Sequence, residues 1–204
     1  MNVSDWIKQQ PDLWERAVTH PFLDACAVGT IAPGSFNRWL VQDRLFVVEC
    51  TRFAARLLQT CPYHHMDLLL DGLGAMKDEL QWFEAKGAER KLSLDVNQLP
   101  ACAEYCAFMR GLYDASYAVQ ATTFWAIERA YNETWERPGP MKPPYDEFAD
   151  RWGNPGFTSY VDLLATQAGE ALAAANSEIV AQAHKAFLAV AGLESNFWQM
   201  AYAN

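Results

Sequence analysis

Apolar positions recur at helical spacing along nearly the whole chain, and the clearest such stretch is interrupted by a carboxylate. Phe36, Trp39, Leu40, Asp43, Val47 and Cys50 share one face at 3.6 residues per turn. Arg38, Gln42, Glu49, Arg52 and Arg56 fall on the opposite, polar side. A hydrophobic stripe points at the core, so it takes Asp43 with it. A buried carboxylate then needs a partner from protein, water or ligand.

The same periodicity predicts the remaining elements. Ser4 is expected to cap a first helix that stops before Thr19-His20-Pro21, because proline disfavours helix in the residue preceding it. A short helix follows to Gly29. The stripe helix runs from about Pro33, suited to a first turn, to about Thr60. Met66 to about Ala85 forms the next, with Leu69, Leu73, Met76, Leu80 and Phe83 on one face and Gly87 beyond its end. Pro100 opens a helix through about Tyr117, and a break near Ala118 leads into 120–135. The segment 137–144 reads as a loop. A short helix to Trp152, a break at 153–156, and helices over roughly 157–174 and 177–203 complete the chain, the last capped by Ser177. No stretch shows sustained strand alternation. The expectation is an all-α helical bundle, one domain over residues 1–204, with about seven or eight helices.

Composition narrows the function classes. Hydrophobic residues make up 51% of the 204, enough for a substantial core. The net charge is −9 and no Lys/Arg run occurs, which argues against nucleic-acid and anionic-membrane partners. No uncharged apolar run approaches the ~20 residues that span a bilayer. The opening residues lack a basic start followed by an apolar run, so no signal peptide is expected. Five cysteines without a C-x-x-C pair suggest reduced thiols in a cytoplasmic protein.

Three further acids repeat the theme of Asp43. Glu194 interrupts the face formed by Ile179, Ala183, Ala186, Phe187, Val190, Phe197 and Trp198. Glu128 lies between Phe124 and Tyr131, and Glu79 beside Met76, Trp82 and Phe83. Four acids on four helices can converge in a bundle core, where helical proteins build ligand sites. Equally, each can hold a structural ion pair or an edge position, with Arg129 and Lys77 nearby. A carboxylate-bridged di-iron centre needs Glu-x-x-His motifs, and none of His20, His64, His65 or His184 stands three residues after an acid. No metal or cofactor is therefore expected. His64-His65 reads as a solvated turn, and His20 as a corner whose imidazole bonds backbone. Cys102 and Cys106, i and i+4 neighbours without a base, read as small core residues.

Taken in order, several segments resemble the TenA family, the thiaminase II-like group of haem-oxygenase-type helical folds. They are Thr19-His20-Pro21-Phe22, Phe36 to Val47 with its Gln42-Asp43 pair, and Pro100 to Tyr105. Phe124-Trp125-Ala-Ile-Glu128, Arg151-Trp152-Gly-Asn-Pro-Gly-Phe157 and Glu194-Ser-Asn-Phe197-Trp198 follow. Cysteine-class members carry a nucleophilic Cys two residues before the Trp matched by Trp125; here that position is Thr123. The family's Tyr two residues after that Trp is Ile127, and the Tyr often found after Gln-Asp is Arg44. The chain thus resembles the glutamate class, associated with salvage of aminopyrimidines from degraded thiamine by hydrolysis of an amide on the aminomethyl arm. The resemblance also implies self-association as a homodimer or homotetramer.

The residue chemistry suits such a ligand. A 4-aminopyrimidine offers an acceptor–donor edge that a carboxylate can meet, and a flat ring that stacks on aromatics. Asp43 is the expected recognition group, with Glu79, Tyr105, Phe46, Trp125, Trp152 and Phe197 as further wall residues. Glu194 is the expected acid–base group, with Glu128 as its rival, because burial raises a carboxyl pKa towards neutrality. Two alternatives stand beside this reading: a non-catalytic pyrimidine-binding or regulatory protein, and a metal- or haem-dependent oxidoreductase.

Overall fold

A computed structural model describes residues 2–203; the two terminal residues of the expected 1–204 domain lie outside the described residues. The helices are α1 (Asp5–Gln9), α2 (Pro11–Val18), α3 (Pro21–Val28), α4 (Pro33–Thr60), α5 (Met66–Glu89), α6 (Pro100–Gly111), α7 (Tyr117–Glu136), α8 (Asp146–Trp152), α9 (Pro155–Ala173) and α10 (Ser177–Tyr202). A 3-10 turn, Tyr63–His65, precedes α5. Among the described residues there is no strand. The all-α expectation holds.

Proline sets half of the α-helix starts. It stands at the opening of α2, α3, α4, α6 and α9, where its missing N–H removes a donor that would have no intrahelical partner. This corrects two boundaries. The expected single N-terminal helix is broken at Gln10, because Pro11 begins α2. Helix α9 begins at Pro155, not Phe157, because Asn154 Oδ1 accepts from the N–H groups of Gly156 (2.9 Å) and Phe157 (3.0 Å) and makes Asn154 the cap. The cap of α10 is likewise Asn176, whose Oδ1 accepts from Ile179 N–H at 2.9 Å, and not Ser177. Ser4 stands at the start of α1 but its side chain makes no cap bond.

At the C-terminal ends, α5 continues to Glu89 and α6 stops at Gly111. Helix α5 closes in a Schellman motif: Leu92 N–H bonds Gly87 C=O (2.8 Å), Lys91 N–H bonds Ala88 C=O (3.1 Å), and Lys91 itself takes φ +55°. Gly87, expected beyond the helix, lies inside it and is buried. An added Cβ there would stand 2.8 Å from a Leu94 methyl, so the glycine makes room for the chain that follows.

The chain forms two compact units. The first comprises residues 1–31 and 115–198. Its central element is α7, buried on nearly all sides from Ala118 to Trp135, with α2, α8 and α9 packed on it. The second comprises residues 32–114 and 199–204. There α4 packs between α5 and α6, and Arg38 donates to the carbonyl oxygens of Ala201 (3.1 Å) and Ala203. That packing explains a departure from the pattern. The stripe from Phe36 to Cys50 is buried as expected, but so are Gln42 and Glu49 on the nominally polar side, each 3% exposed, because α6 covers them.

Candidate active site

In the second unit, Asp43 is 1% exposed on the apolar stripe of α4. One turn on stands Phe46, whose ring centroid lies 4.7 Å from that of Tyr105 on α6 at an interplanar angle of 53°. Tyr105 is itself 1% exposed and meets Phe108 at 6.5 Å. Glu79, on α5, is half-buried. Three of the four residues expected in this unit, Asp43, Phe46 and Tyr105, are thus buried, and the two rings are inclined against each other.

The polar residues that the periodicity missed form a second layer around α4. Glu49 accepts from Arg110 at 2.9 Å, from Arg52 at 3.4 Å and from the Tyr113 hydroxyl. Burial, and then the Glu49 hydrogen bond, push the Tyr113 phenol up to about 12. Gln42 uses both edges of its amide on the segment before α6: Oε1 accepts from Leu99 N–H at 2.7 Å, and Nε2 donates to Asn97 C=O at 3.2 Å. The periodicity marks neither residue as buried, since their burial depends on which helix covers them. His65 also departs from expectation. It is buried at 3% exposure, its ring 4.3 Å from that of the exposed His64, so only half of that pair is a solvated turn.

The thiols of α6 are core groups. The Cys102 thiol donates to the Gln42 carbonyl at 3.4 Å, and Gln98 Nε2 donates to Cys106 Sγ at 3.1 Å. The hydrogen bond it donates towards Cys106, burial and the nearby charge of Asp43 all hold the Cys102 proton on, far above the usual thiol range. Cys26, in the first unit, is pushed up to about 12 by burial. All five cysteines are free.

In the first unit, Glu194 on α10 is 4% exposed and Glu128 on α7 is 9% exposed. Arg129, considered as a partner for Glu128, turns instead to Glu133 (2.6 Å) and Asp162 (3.6 Å). Trp125 stacks on Phe187 with centroids 6.0 Å apart and planes within 16°. Trp152, at the end of α8, meets Tyr131 edge-on at 5.2 Å and Trp135 at 5.5 Å. Phe197 meets Trp198 edge-on at 6.5 Å. The Trp152 carbonyl accepts from Asn132 Nδ2 at 2.8 Å. Gly153 lies against α7: a Cβ there would come within 2.9 Å of backbone atoms of Trp135 and Glu136. Asn132 was legible in principle, as an amide one turn after Glu128 on the same face of the helix.

Two details of the corner and nucleophile positions are also resolved. His20 Nδ1 accepts from Phe22 N–H at 3.1 Å, the backbone bond expected of it. The Thr123 hydroxyl is fully buried and donates to the Val119 carbonyl at 2.8 Å, so the position of the cysteine-class nucleophile holds a hydroxyl committed to its own helix.

Among known proteins, the family model described as TENA/THI-4/PQQC matches residues 7–204, across both units. A soybean (Glycine max) protein named "Probable bifunctional TENA-E protein" is 33% identical over 98% of this chain and 92% of its own. The "Aminopyrimidine aminohydrolase" of Halalkalibacterium halodurans is 26% identical over 96% of this chain and 92% of its own. A solved TenA homologue from Pyrococcus furiosus superimposes with a TM-score of 0.94 at 27% identity, covering 99% of this chain and 100% of that one.

Proposed function

Because the chain belongs to the TENA/THI-4/PQQC family, we propose that it is a hydrolase acting on an amide carried by the aminomethyl arm of an aminopyrimidine, in thiamine salvage. The observation that carries this reading is the burial of Asp43, 1% exposed on the apolar stripe of α4 one turn before Phe46, whose ring meets that of Tyr105. A carboxylate on this wall can accept hydrogen bonds from an amino group. The 4-amino group donates to it, and the ring lies against the aromatic wall of Phe46 and Tyr105, with Glu79 as a further contact.

Proton transfer is assigned to Glu194 with Glu128 as its rival, and Trp125, Trp152 and Phe197 are assigned to ring contacts. The carboxylate takes a proton from water as the oxygen attacks the amide carbon. The C–N bond breaks, the proton passes to the departing amine, and the products are a carboxylic acid and the free aminomethylpyrimidine. Direct attack by a carboxylate is the less favoured route.

A second reading is favoured by the relative named an aminohydrolase. In it, water replaces the amine of the aminomethyl arm, giving a hydroxymethylpyrimidine and ammonia. Incubation of the protein with N-formylated 4-amino-5-aminomethylpyrimidine separates the two. Formate release with accumulation of the amine supports the amide reading; ammonia from the free amine supports the second. Release of neither, with ligand binding intact, would leave a binding protein.

The same proposal has the protein acting in the cytoplasm as a homodimer or homotetramer. No helix among the described residues is long and apolar enough to cross a membrane. A monomeric mass by light scattering at micromolar concentration would overturn the assembly.

A further inference from the structure

Gln42 precedes the recognition carboxylate by one residue, yet it faces a different structural task. Its side chain is 3% exposed, and both edges of the amide are consumed by one short stretch of backbone: Leu99 N–H at 2.7 Å and Asn97 C=O at 3.2 Å. An amide satisfied at both edges by one segment is fixed in rotation as well as in place. Leu99 is the cap residue of α6, and Pro100 opens that helix. A third bond, from the Cys102 thiol to the Gln42 carbonyl at 3.4 Å, joins the first turn of α6 to the same residue.

Helix α6 is a rod over Pro100–Gly111, so fixing its start fixes Tyr105 further along it. Tyr105 is the residue that meets Phe46, one turn beyond Gln42 on α4, at 4.7 Å. We infer that Gln42 is a positioning residue: its amide sets the register of α6 on α4 and so the place of Tyr105 relative to Asp43 and Phe46. This rests on the proposed role of those three residues in holding the aminopyrimidine ring.

The test substitution is Gln42→Glu. The carboxylate still accepts from Leu99 N–H but presents an oxygen to the Asn97 carbonyl in place of a donor, so one half of the clamp is broken and made repulsive. KM for the pyrimidine substrate is expected to rise about ten- to a hundredfold with kcat nearly unchanged, the pattern of lost uniform binding. Amide hydrogen exchange at Leu99 should quicken in Gln42→Met, which removes the acceptor of that N–H. Gln98→Met, which removes the bond to Cys106 but touches neither edge of the clamp, should leave KM at the wild-type value.

An unchanged KM in Gln42→Glu, or a fall in kcat without a rise in KM, would overturn the inference. If Gln42→Glu does not fold, Gln42→Met, similar in length and without polar atoms, carries the same expectation. Wild-type protein that neither binds nor turns over the pyrimidine refutes the proposed function itself. Wild-type binding with an unaffected variant refutes only the positioning role.

Discussion

Asn132 donates from Nδ2 to the main-chain carbonyl of Trp152 at 2.8 Å, which ties the end of α8 to the C-terminal part of α7. Asn132 is fully buried, and the adjoining Gly153 allows the α7 backbone to come within contact of the same corner. Replacing Asn132 by Leu leaves the buried carbonyl without its donor, which costs about 1–3 kcal/mol. Urea denaturation should show a lower midpoint with an unchanged slope. An unshifted midpoint would mean that this bond contributes no net stability.

Lys91 is a side chain in a backbone position that favours glycine. Its φ of +55° closes the Schellman motif at the end of α5. Lys91→Gly should therefore stabilise the protein by up to about 1 kcal/mol, since the left-handed conformation costs an L-residue roughly that much and the gain is partly offset by unfolded-chain entropy. Thermal melting should show a rise of a few degrees at most. A fall would indicate that the lysine side chain makes a contribution larger than its backbone strain.

Glu194→Gln preserves shape and some hydrogen bonding but removes proton exchange. A general acid or base contributes about 10² to 10⁴ in rate, so turnover of the aminopyrimidine amide should fall by that order while binding survives. Glu128→Gln is the comparison, and a larger loss there transfers the catalytic role to Glu128. Near-normal turnover in both would make these residues structural carboxylates.

Thr123→Cys alone is expected not to create thiaminase activity. The hydroxyl at this position bonds the Val119 carbonyl on the same helix, and Ile127 two residues after Trp125 replaces the family's tyrosine. Thiazole release from thiamine, followed by chromatography, should remain at the background of the unmodified protein. A rate matching amide hydrolysis would show that the thiol is sufficient.

The Tyr113 phenol gives an alkaline signature. Its pKa is raised to about 12 by burial and by the bond to Glu49, against an ordinary value of 10. Between those limits the folded state holds a proton that the unfolded state has lost, so this contribution is complete below pH 10 and disappears as pH rises towards 12. Tyr113→Phe should flatten that part of the stability–pH curve. Absorbance at the tyrosinate band should also show one fewer late-titrating phenol in the variant.

Much of the helical framework was legible because burial and period coincide. Phe36, Trp39, Leu40, Asp43, Val47 and Cys50 were placed on one face, and all are buried. Phe187, Val190, Glu194, Phe197 and Trp198 behave alike on α10. Periodicity failed where a helix is covered on two sides. Gln42 and Glu49 are polar and buried only because α6 lies over them, a tertiary fact that α4 alone does not encode. It failed again at the starts of α2 and α9: the expected first helix runs straight through Pro11, and Pro155 falls in an expected break, yet both are first-turn residues. The carboxylates were identifiable as unusual from their neighbours; the polar groups that a second helix covers require the fold.

The connection from Lys91 to Leu99 has no regular structure, yet it is anchored at both ends. Leu94 fills the space left by Gly87, and Asn97 and Leu99 occupy the two edges of the Gln42 amide. Its sequence between those anchors is open to change, since Asp95 and Val96 are exposed. Its length is not. One residue inserted or removed between Leu94 and Asn97 forces the chain to abandon either the glycine notch or the amide. This stretch should therefore tolerate substitution freely and reject insertion, the reverse of what an irregular surface segment ordinarily allows.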